Sequence, residues 1–384
     1  MEKIGTAVIG GGVVGLAIAA EISAVSDDVF LFEKNPYLGD EQSGRNSGVV
    51  HAGLYYDKYP LKRKLCVEGN RLLYEFCDKH KIPHARCGKF IVAVTGEEDK
   101  RIEMYIRNAR EAGAEDVRRV SPAAVREREP NVRAYSALWS PSTGIIDAAS
   151  YIECLAREAR KNGTEIVKET KVCAIKAQAC GFTIEITNPD ASKDEIFAER
   201  IINSAGLYSD EIARMINPES PYEITPVRGE YYYFNSSARV ALKLNGTNVY
   251  PVQKPYFIDG VEFLAIGVHL TPVFELNAAG EKVIGSKVLV GPTTTPVTEK
   301  DDLEKNRNGA ECFLGAVNDF FPDLKITDLK IDYAGNRAKL KTGGDFIIRK
   351  DAKYPDAINL IGIESPGLTA SLAIAEFVKN LFIN

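Results

Sequence analysis

Ile4-Gly5-Thr6-Ala7-Val8-Ile9 runs directly into Gly10-Gly11-Gly12-Val13-Val14-Gly15. The alanine-rich Leu16-Ala17-Ile18-Ala19-Ala20-Glu21-Ile22 comes next, and then Asp28-Val29-Phe30-Leu31-Phe32-Glu33. The order is strand, G-x-G-x-x-G turn, helix, strand and acid, the sequence form of a dinucleotide-binding βαβ unit. Gly10 permits a sharp turn where a Cβ would clash. Gly12 lets the backbone approach a pyrophosphate, and Gly15 lets the helix pack closely on the strand. The helix N-terminus offers N–H groups and partial positive charge to phosphates. Glu33 is placed to accept hydrogen bonds from both ribose hydroxyls, which disfavours a 2′-phosphate.

Around this unit lies an ordinary globular composition. The 384 residues are 45% hydrophobic and 26% charged, with a net charge of −5. That length allows about two or three domains. Without a global basic field, nucleic acid is not an expected partner. The 7 cysteines form no C-x-x-C pair, which suits a reducing cytoplasm better than a disulfide framework or a zinc site. No apolar run approaches a membrane span. The βαβ unit begins so close to Met1 that no leader is expected ahead of it.

After Glu33, residues 39–56 are too polar and glycine-rich for a core strand, and a long ordered loop of this kind usually serves a site. Leu61 to Lys79 reads as an amphipathic helix, Lys89 to Val94 as a strand, and Glu97 to Ala112 as a charged helix. Ser121-Pro122 starts a short helix, and Ala148 to Lys161 is a helix closed by Asn162-Gly163. Strands follow between Glu165 and Ile202, then a helix from Ser209 to Ile216. From Pro226 to about Asp332 the chain is β-rich, with a helix expected over Leu303 to Phe320. The end returns to α/β character, with a strand at Ala357–Gly362 and a helix from Gly367 to Leu381. The expected division is a discontinuous cofactor domain (1–86, 145–222 and 335–384) and a substrate domain of mixed sheet plus helices (87–144 and 223–334).

Several stretches together carry a family resemblance across nearly the whole chain. They include Gly10 to Gly15, Ser43-Gly44-Arg45-Asn46-Ser47-Gly48-Val49-Val50-His51-Ala52-Gly53, Leu61 to Gly69, Cys87-Gly88-Lys89, Val227-Arg228-Gly229, Gly267-Val268-His269 and Ser365-Pro366-Gly367-Leu368-Thr369-Ala370-Ser371. With them the chain resembles the glutathione-reductase-type flavoproteins of the D-amino-acid oxidase superfamily, and within it the L-2-hydroxyglutarate dehydrogenases. The resemblance implies an α/β, Rossmann-type FAD-binding domain. Gly10, Gly12, Val13, Val14, Gly15, Glu33 and Lys34 would hold the ADP half. Arg45, Asn46 and Ser47 would run beside the pyrophosphate and flavin, and Val172 would meet the adenine side. Ala205 and Gly206 would sit near the pyrophosphate, with Arg337, Gly367, Leu368 and Thr369 at the flavin. Independently, Gly367 opens a helix whose N–H groups can face the flavin N1–C2=O edge.

The implied reaction is oxidation of L-2-hydroxyglutarate to 2-oxoglutarate by hydride transfer to flavin N5. An FAD-dependent glycerol-3-phosphate dehydrogenase and an amino-acid oxidase of the same superfamily are the alternatives. His51 and His269 are the candidate proton acceptors, because a near-neutral imidazole suits that task. His80 and His84 read as surface residues. Arg337 is the candidate clamp for the C1 carboxylate, since a guanidinium matches a carboxylate bidentately. Arg228 or Lys64 would take the distal charge, and Tyr55, Tyr56 and Tyr231 are further candidates near substrate. The Phe274–Lys287 hairpin and residues 336–345 depart from the family pattern. The electron acceptor (quinone, redox protein or oxygen) and any peripheral attachment to a membrane stay open.

Overall fold

The computed structural model of the chain describes residues 2–114, 116–258 and 260–383. Strand β1 (Glu2–Ile9) leads through the glycine turn into helix α1 (Val13–Ser23) and strand β2 (Val29–Phe32). β1 is the middle of a mainly parallel sheet, with β2 on one side and the Lys193–Asn203 strand on the other. The Ala357–Ile361 strand lies parallel beside residues 201–203, so the last part of the chain returns to the first sheet. Apolar residues of β1, β2, α1 and the helices Pro60–His80 (α2), Ala148–Lys161 and Gly367–Ile383 fill one core, with Val8, Leu16, Leu31, Leu155 and Ile374 among them. Burial on both faces explains why β1 and β2 read as continuous apolar runs.

A second, mostly antiparallel sheet has the Ile224–Asn235 strand next to one edge. That strand pairs with Lys330–Leu340 and with Lys282–Gly291. The sheet continues through His269–Leu276 and Asn248–Pro251 to Lys89–Ala93 and Ser136–Ser140. Phe90, Trp139, Phe234, Phe313 and Phe321 build its core. The domain boundary expected at residue 335 falls inside the Lys330–Leu340 strand, which belongs wholly to this second sheet.

One expected helix is shorter than the sequence suggested. Only Ala310–Val317 is helical, not Leu303 to Phe320. Residues 303–309 are instead tied to a buried ion pair: the Asn306 carbonyl accepts from Arg228 at 3.2 Å, and the Asn308 amide donates to Glu230 at 2.7 Å. Those bonds draw the backbone out of the i→i−4 pattern, and Asn306 takes a φ of 54°.

Candidate active site

A cavity of about 830 Å³ runs between the two sheets, and its wall begins at the glycine turn. Gly10 has a φ of 110°, and a Cβ there would meet the Ser204 carbonyl at 2.6 Å. A Cβ on Gly15 would lie 2.0 Å from the Gly10 carbonyl, so the helix can approach the strand only without one. Gly12 caps α1 with no side chain and no acid follows in the first turn, leaving the positive end of the helix facing the cavity. Ser43 reaches across from the following loop to accept from the Val13 amide at 3.0 Å.

Glu33 is buried and fixed by two backbone amides, Gly11 at 2.7 Å and Asn35 at 2.8 Å. Burial raises its pKa, and the two amides oppose that shift. Lys34 beside it is held charged by Glu41 at 2.6 Å and lies over the Tyr208 ring. Asn46 folds its amide onto the Gln42 and Ser43 carbonyls and accepts from Gly48, which shapes the loop along the cavity. Arg45, Ser47, Val172, Ala205, Gly206, Gly367 and Leu368 also line the wall. The pinned acid, the helix N-terminus with no acid in its first turn and the absence of a side chain on Gly12 fit an adenine dinucleotide. Thr369 stands behind the wall: its hydroxyl accepts from the His51 amide at 3.0 Å and so ties the 49–51 loop to the C-terminal helix.

At the other end, the second sheet contributes His269, Tyr231, Tyr250 and Arg337 to the wall, and the loop after β2 contributes His51, Tyr55 and Tyr56. His269 stacks on Tyr250 with ring centroids 3.7 Å apart, and its Nδ1 bonds the Gly267 carbonyl at 2.9 Å. A carbonyl can only accept, so Nδ1 carries the proton and Nε2 presents a lone pair. That Nε2 is buried without a protein partner. Burial pulls the His269 pKa down to about 3, Lys89 and Arg337 adding to the shift against the Gly267 bond. Burial, Lys89 and His269 together hold His51 well below its usual value. His51 Nε2 lies 3.3 Å from the Ser365 hydroxyl. Both imidazoles are therefore neutral and able to accept a proton.

Arg337 donates to the Thr293 carbonyl at 3.0 Å and lies over Gly229, where a Cβ would stand 2.8 Å from its Nη2. Two other cations share this end of the wall. Lys62 and Lys339 flank Glu364 at 3.2 and 2.9 Å. Burial alone would raise the Glu364 pKa, but Lys339 and Lys62 overcome it and bring it to about 2.

Two expected substrate residues are elsewhere. Arg228 does not line the cavity; it is buried against Glu230 at 2.8 Å and Asp302 at 3.2 Å. The pleat sends Arg228 and Glu230 to the face opposite Gly229 and Tyr231. Lys64 is exposed and outside the wall, because two residues along α2 turn a side chain to roughly the opposite face. His80 and His84 are half-buried rather than on the surface, near Glu158 and Asp78, and lie outside the cavity.

The sequence reading passed over Lys62, Lys339, Glu364 and Lys89. Lys339 had a signal, since it shares a strand face with Arg337. Lys89 had another, a charge inside the run Lys89-Phe90-Ile91-Val92-Ala93. Its ammonium is fully buried without a partner atom, 4.7 Å from the ring centroids of both Tyr55 and Tyr250. Burial pushes its pKa down to about 7.

The site and fold define a flavin-dependent oxidoreductase. Residues 6–381 match the family described as FAD dependent oxidoreductase, and the chain belongs to that family. FAD is thus the cofactor. The chain is 32% identical to a mitochondrial L-2-hydroxyglutarate dehydrogenase of Caenorhabditis elegans, covering 100% of this chain and 94% of that one. It is 31% identical to the L-2-hydroxyglutarate dehydrogenase of Indibacter alkaliphilus, covering 96% of each. Among solved structures it superposes on L-alpha-glycerophosphate oxidase from Mycoplasma pneumoniae with FAD bound, at a TM-score of 0.84 and 29% identity, covering 100% of this chain and 96% of that one. Among the described residues no helix is long and apolar enough to cross a membrane.

Proposed function

We propose that the protein oxidises L-2-hydroxyglutarate to 2-oxoglutarate. The observation that carries this reading is the excess of cations at one end of the cavity: Lys62, Arg337 and Lys339 outnumber Glu364 beside two neutral histidines, and the neighbouring Asp57 and Lys58 cancel. A dicarboxylate supplies the missing negative charge, and the similarity to L-2-hydroxyglutarate dehydrogenases points to the same substrate class. Bound FAD supplies the two-electron acceptor for the hydrogen leaving C2.

The chain's own residues do the rest. Arg337 binds the C1 carboxylate, held at its angle by the Thr293 carbonyl and the bare Gly229. The lone pair on His269 Nε2 takes the hydroxyl proton as the carbonyl forms. A dianion in the cavity offsets Lys89 and Arg337, raising the basicity of both histidines when substrate arrives. Tyr231 and Tyr250 keep water from the reacting carbon. Residues of the first sheet hold the cofactor in this reading, and residues of the second hold the substrate.

Oxidation of glycerol 3-phosphate is the second reading, favoured by the likeness to the glycerophosphate oxidase. One experiment separates them. The yellow protein is mixed anaerobically with L-2-hydroxyglutarate, 2-hydroxybutyrate and glycerol 3-phosphate, and loss of flavin absorbance is followed. L-2-hydroxyglutarate is expected to bleach it fastest; faster bleaching by glycerol 3-phosphate transfers the assignment.

A further inference from the structure

The ion triad at the cavity's cationic end, Lys62, Lys339 and Glu364, lies within electrostatic reach of Arg337, whose charge helps to hold Glu364 ionised. Lys62 arises in the first turn of α2, and its ammonium bonds both the Gly344 carbonyl and Glu364, at 3.2 Å each. Lys339 comes from the same strand face as Arg337 and bonds Glu364 at 2.9 Å. All three side chains are shielded, at 6%, 14% and 11% exposure for Lys62, Lys339 and Glu364. Glu364 immediately precedes the Ser365-Pro366-Gly367 turn that opens the C-terminal helix, so its position is set by that turn. The neighbouring wall residues Asp57 and Lys58 carry opposite charges and cancel. The triad thus bears one net positive charge, to which Arg337 adds a second.

A buried acid between two lysines costs desolvation that an apolar residue would not. Its presence in a cavity wall needs a reason, and ligand charge supplies one. We propose that Glu364 is a specificity-determining residue: it reduces the triad to a single positive charge, so that the site accepts a distal carboxylate and disfavours a doubly charged phosphate. This inference rests on the proposed two-ended anionic substrate and names the groups that read its far end. Specificity of this kind arises as much from what a site repels as from what it attracts.

The test compares two non-oxidisable ligands that differ only at the far end, glutarate and 4-phosphonobutyrate, at a pH that keeps the phosphonate doubly ionised. Binding to the FAD-loaded protein is read as a perturbation of the flavin visible spectrum, which requires no turnover. Removing the acid's charge helps a dianion about twice as much as a monoanion. Glu364→Gln is therefore expected to shift the ratio of the two dissociation constants at least tenfold or so toward the phosphonate, whatever happens to each alone. Lys339→Met gives the second arm: glutarate binding should weaken about tenfold or more while butyrate, held at Arg337, changes little. A ratio unmoved in Glu364→Gln overturns the inference, as does Lys339→Met weakening glutarate and butyrate equally. If Glu364→Gln does not retain FAD, the Lys339→Met comparison decides alone. Failure of the wild type to oxidise L-2-hydroxyglutarate, together with the expected ratio shift in Glu364→Gln, removes the proposed activity and keeps the charge assignment. Oxidation by wild type with no shift in the variant sinks the charge assignment alone.

Discussion

The Gly267 carbonyl fixes which nitrogen of His269 is basic. At 2.9 Å it accepts a hydrogen bond from Nδ1–H, so the nitrogen left facing the buried cavity is the acceptor. The ring is already neutral, its pKa held near 3 by burial, with Lys89 and Arg337 adding to the effect. For the free protein, kcat/KM should show no acid limb near the ordinary histidine value. It should remain flat down to about pH 5. His269→Ala should slow flavin reduction roughly a hundredfold with FAD still bound. A limb at about 6.5, or near wild-type reduction by the variant, would remove His269 from the proton step.

Lys89 gives a prediction in which stability and activity separate. Its pKa is lowered to about 7 from 10.5, so the unfolded chain binds a proton that the folded chain resists across that interval. Stability from this group is thus present above the unfolded value and falls as pH drops from about 10.5 toward 7. Lys89→Met removes an unpaired buried amine and should raise stability near neutral pH by about 1–3 kcal/mol. The same change removes a charge that lowers both histidine pKa values, so the acid limb of kcat/KM should move to higher pH. Thermal melts and a pH profile on one variant check both halves. A less stable variant with an unmoved profile contradicts this account.

Arg337 and Gly229 act as a pair. Arg337→Lys keeps the charge but loses the planar fork, at a cost of about 1.5–3 kcal/mol in transition-state binding, or roughly ten- to hundredfold in kcat/KM. Gly229→Ala puts a methyl 2.8 Å from the Arg337 Nη2 and should act in the same direction without loss of FAD. Steady-state kinetics on both variants test this, and an unchanged kcat/KM in Arg337→Lys excludes a bidentate clamp.

Replacing Arg228 should look quite different. Arg228→Met strands Glu230 in a site where that acid is fully buried, and it also releases the 303–309 segment. The expected result is a loss of about 3–5 kcal/mol in stability. What protein remains folded should have near-normal KM. A large KM effect in a normally stable variant would return Arg228 to the substrate site.

At the cofactor end, Glu33→Ala removes the acceptor of two backbone amides. Gly12→Val drives a side chain toward Ser43, whose hydroxyl lies 2.8 Å from the position of a Cβ at residue 12. Both should purify with less FAD, measured as visible absorbance per mole of protein. Full retention in both would contradict the dinucleotide cradle.

The βαβ unit was legible because each glycine answers a local steric demand that can be stated before any fold is known. The elements on either side of it were legible from periodicity, and Ser121 was readable as a cap. What failed was orientation. Arg228 and Tyr231 are three apart on one strand, so a period of two already forbids them the same face, yet both had been placed at substrate. Lys64 had the right charge on the wrong side of α2, two residues from Lys62. Glu364 could not be read as a site residue at all, because its meaning comes from Lys62 and Lys339, roughly 300 and 25 positions away in the chain.

The bond from the His51 amide to Thr369 joins residues 318 apart, and α1 and α2 both pack against the helix that carries Thr369. Synthesis therefore delivers the glycine turn long before the helix that packs against α1 and α2. Until that helix has been made, the nascent chain can hold its first βαβ unit but lacks the surface on which α1 and α2 pack. Loading with FAD then becomes a late event of biogenesis, and a chain stopped before Gly367 should accumulate as a colourless species prone to chaperone capture.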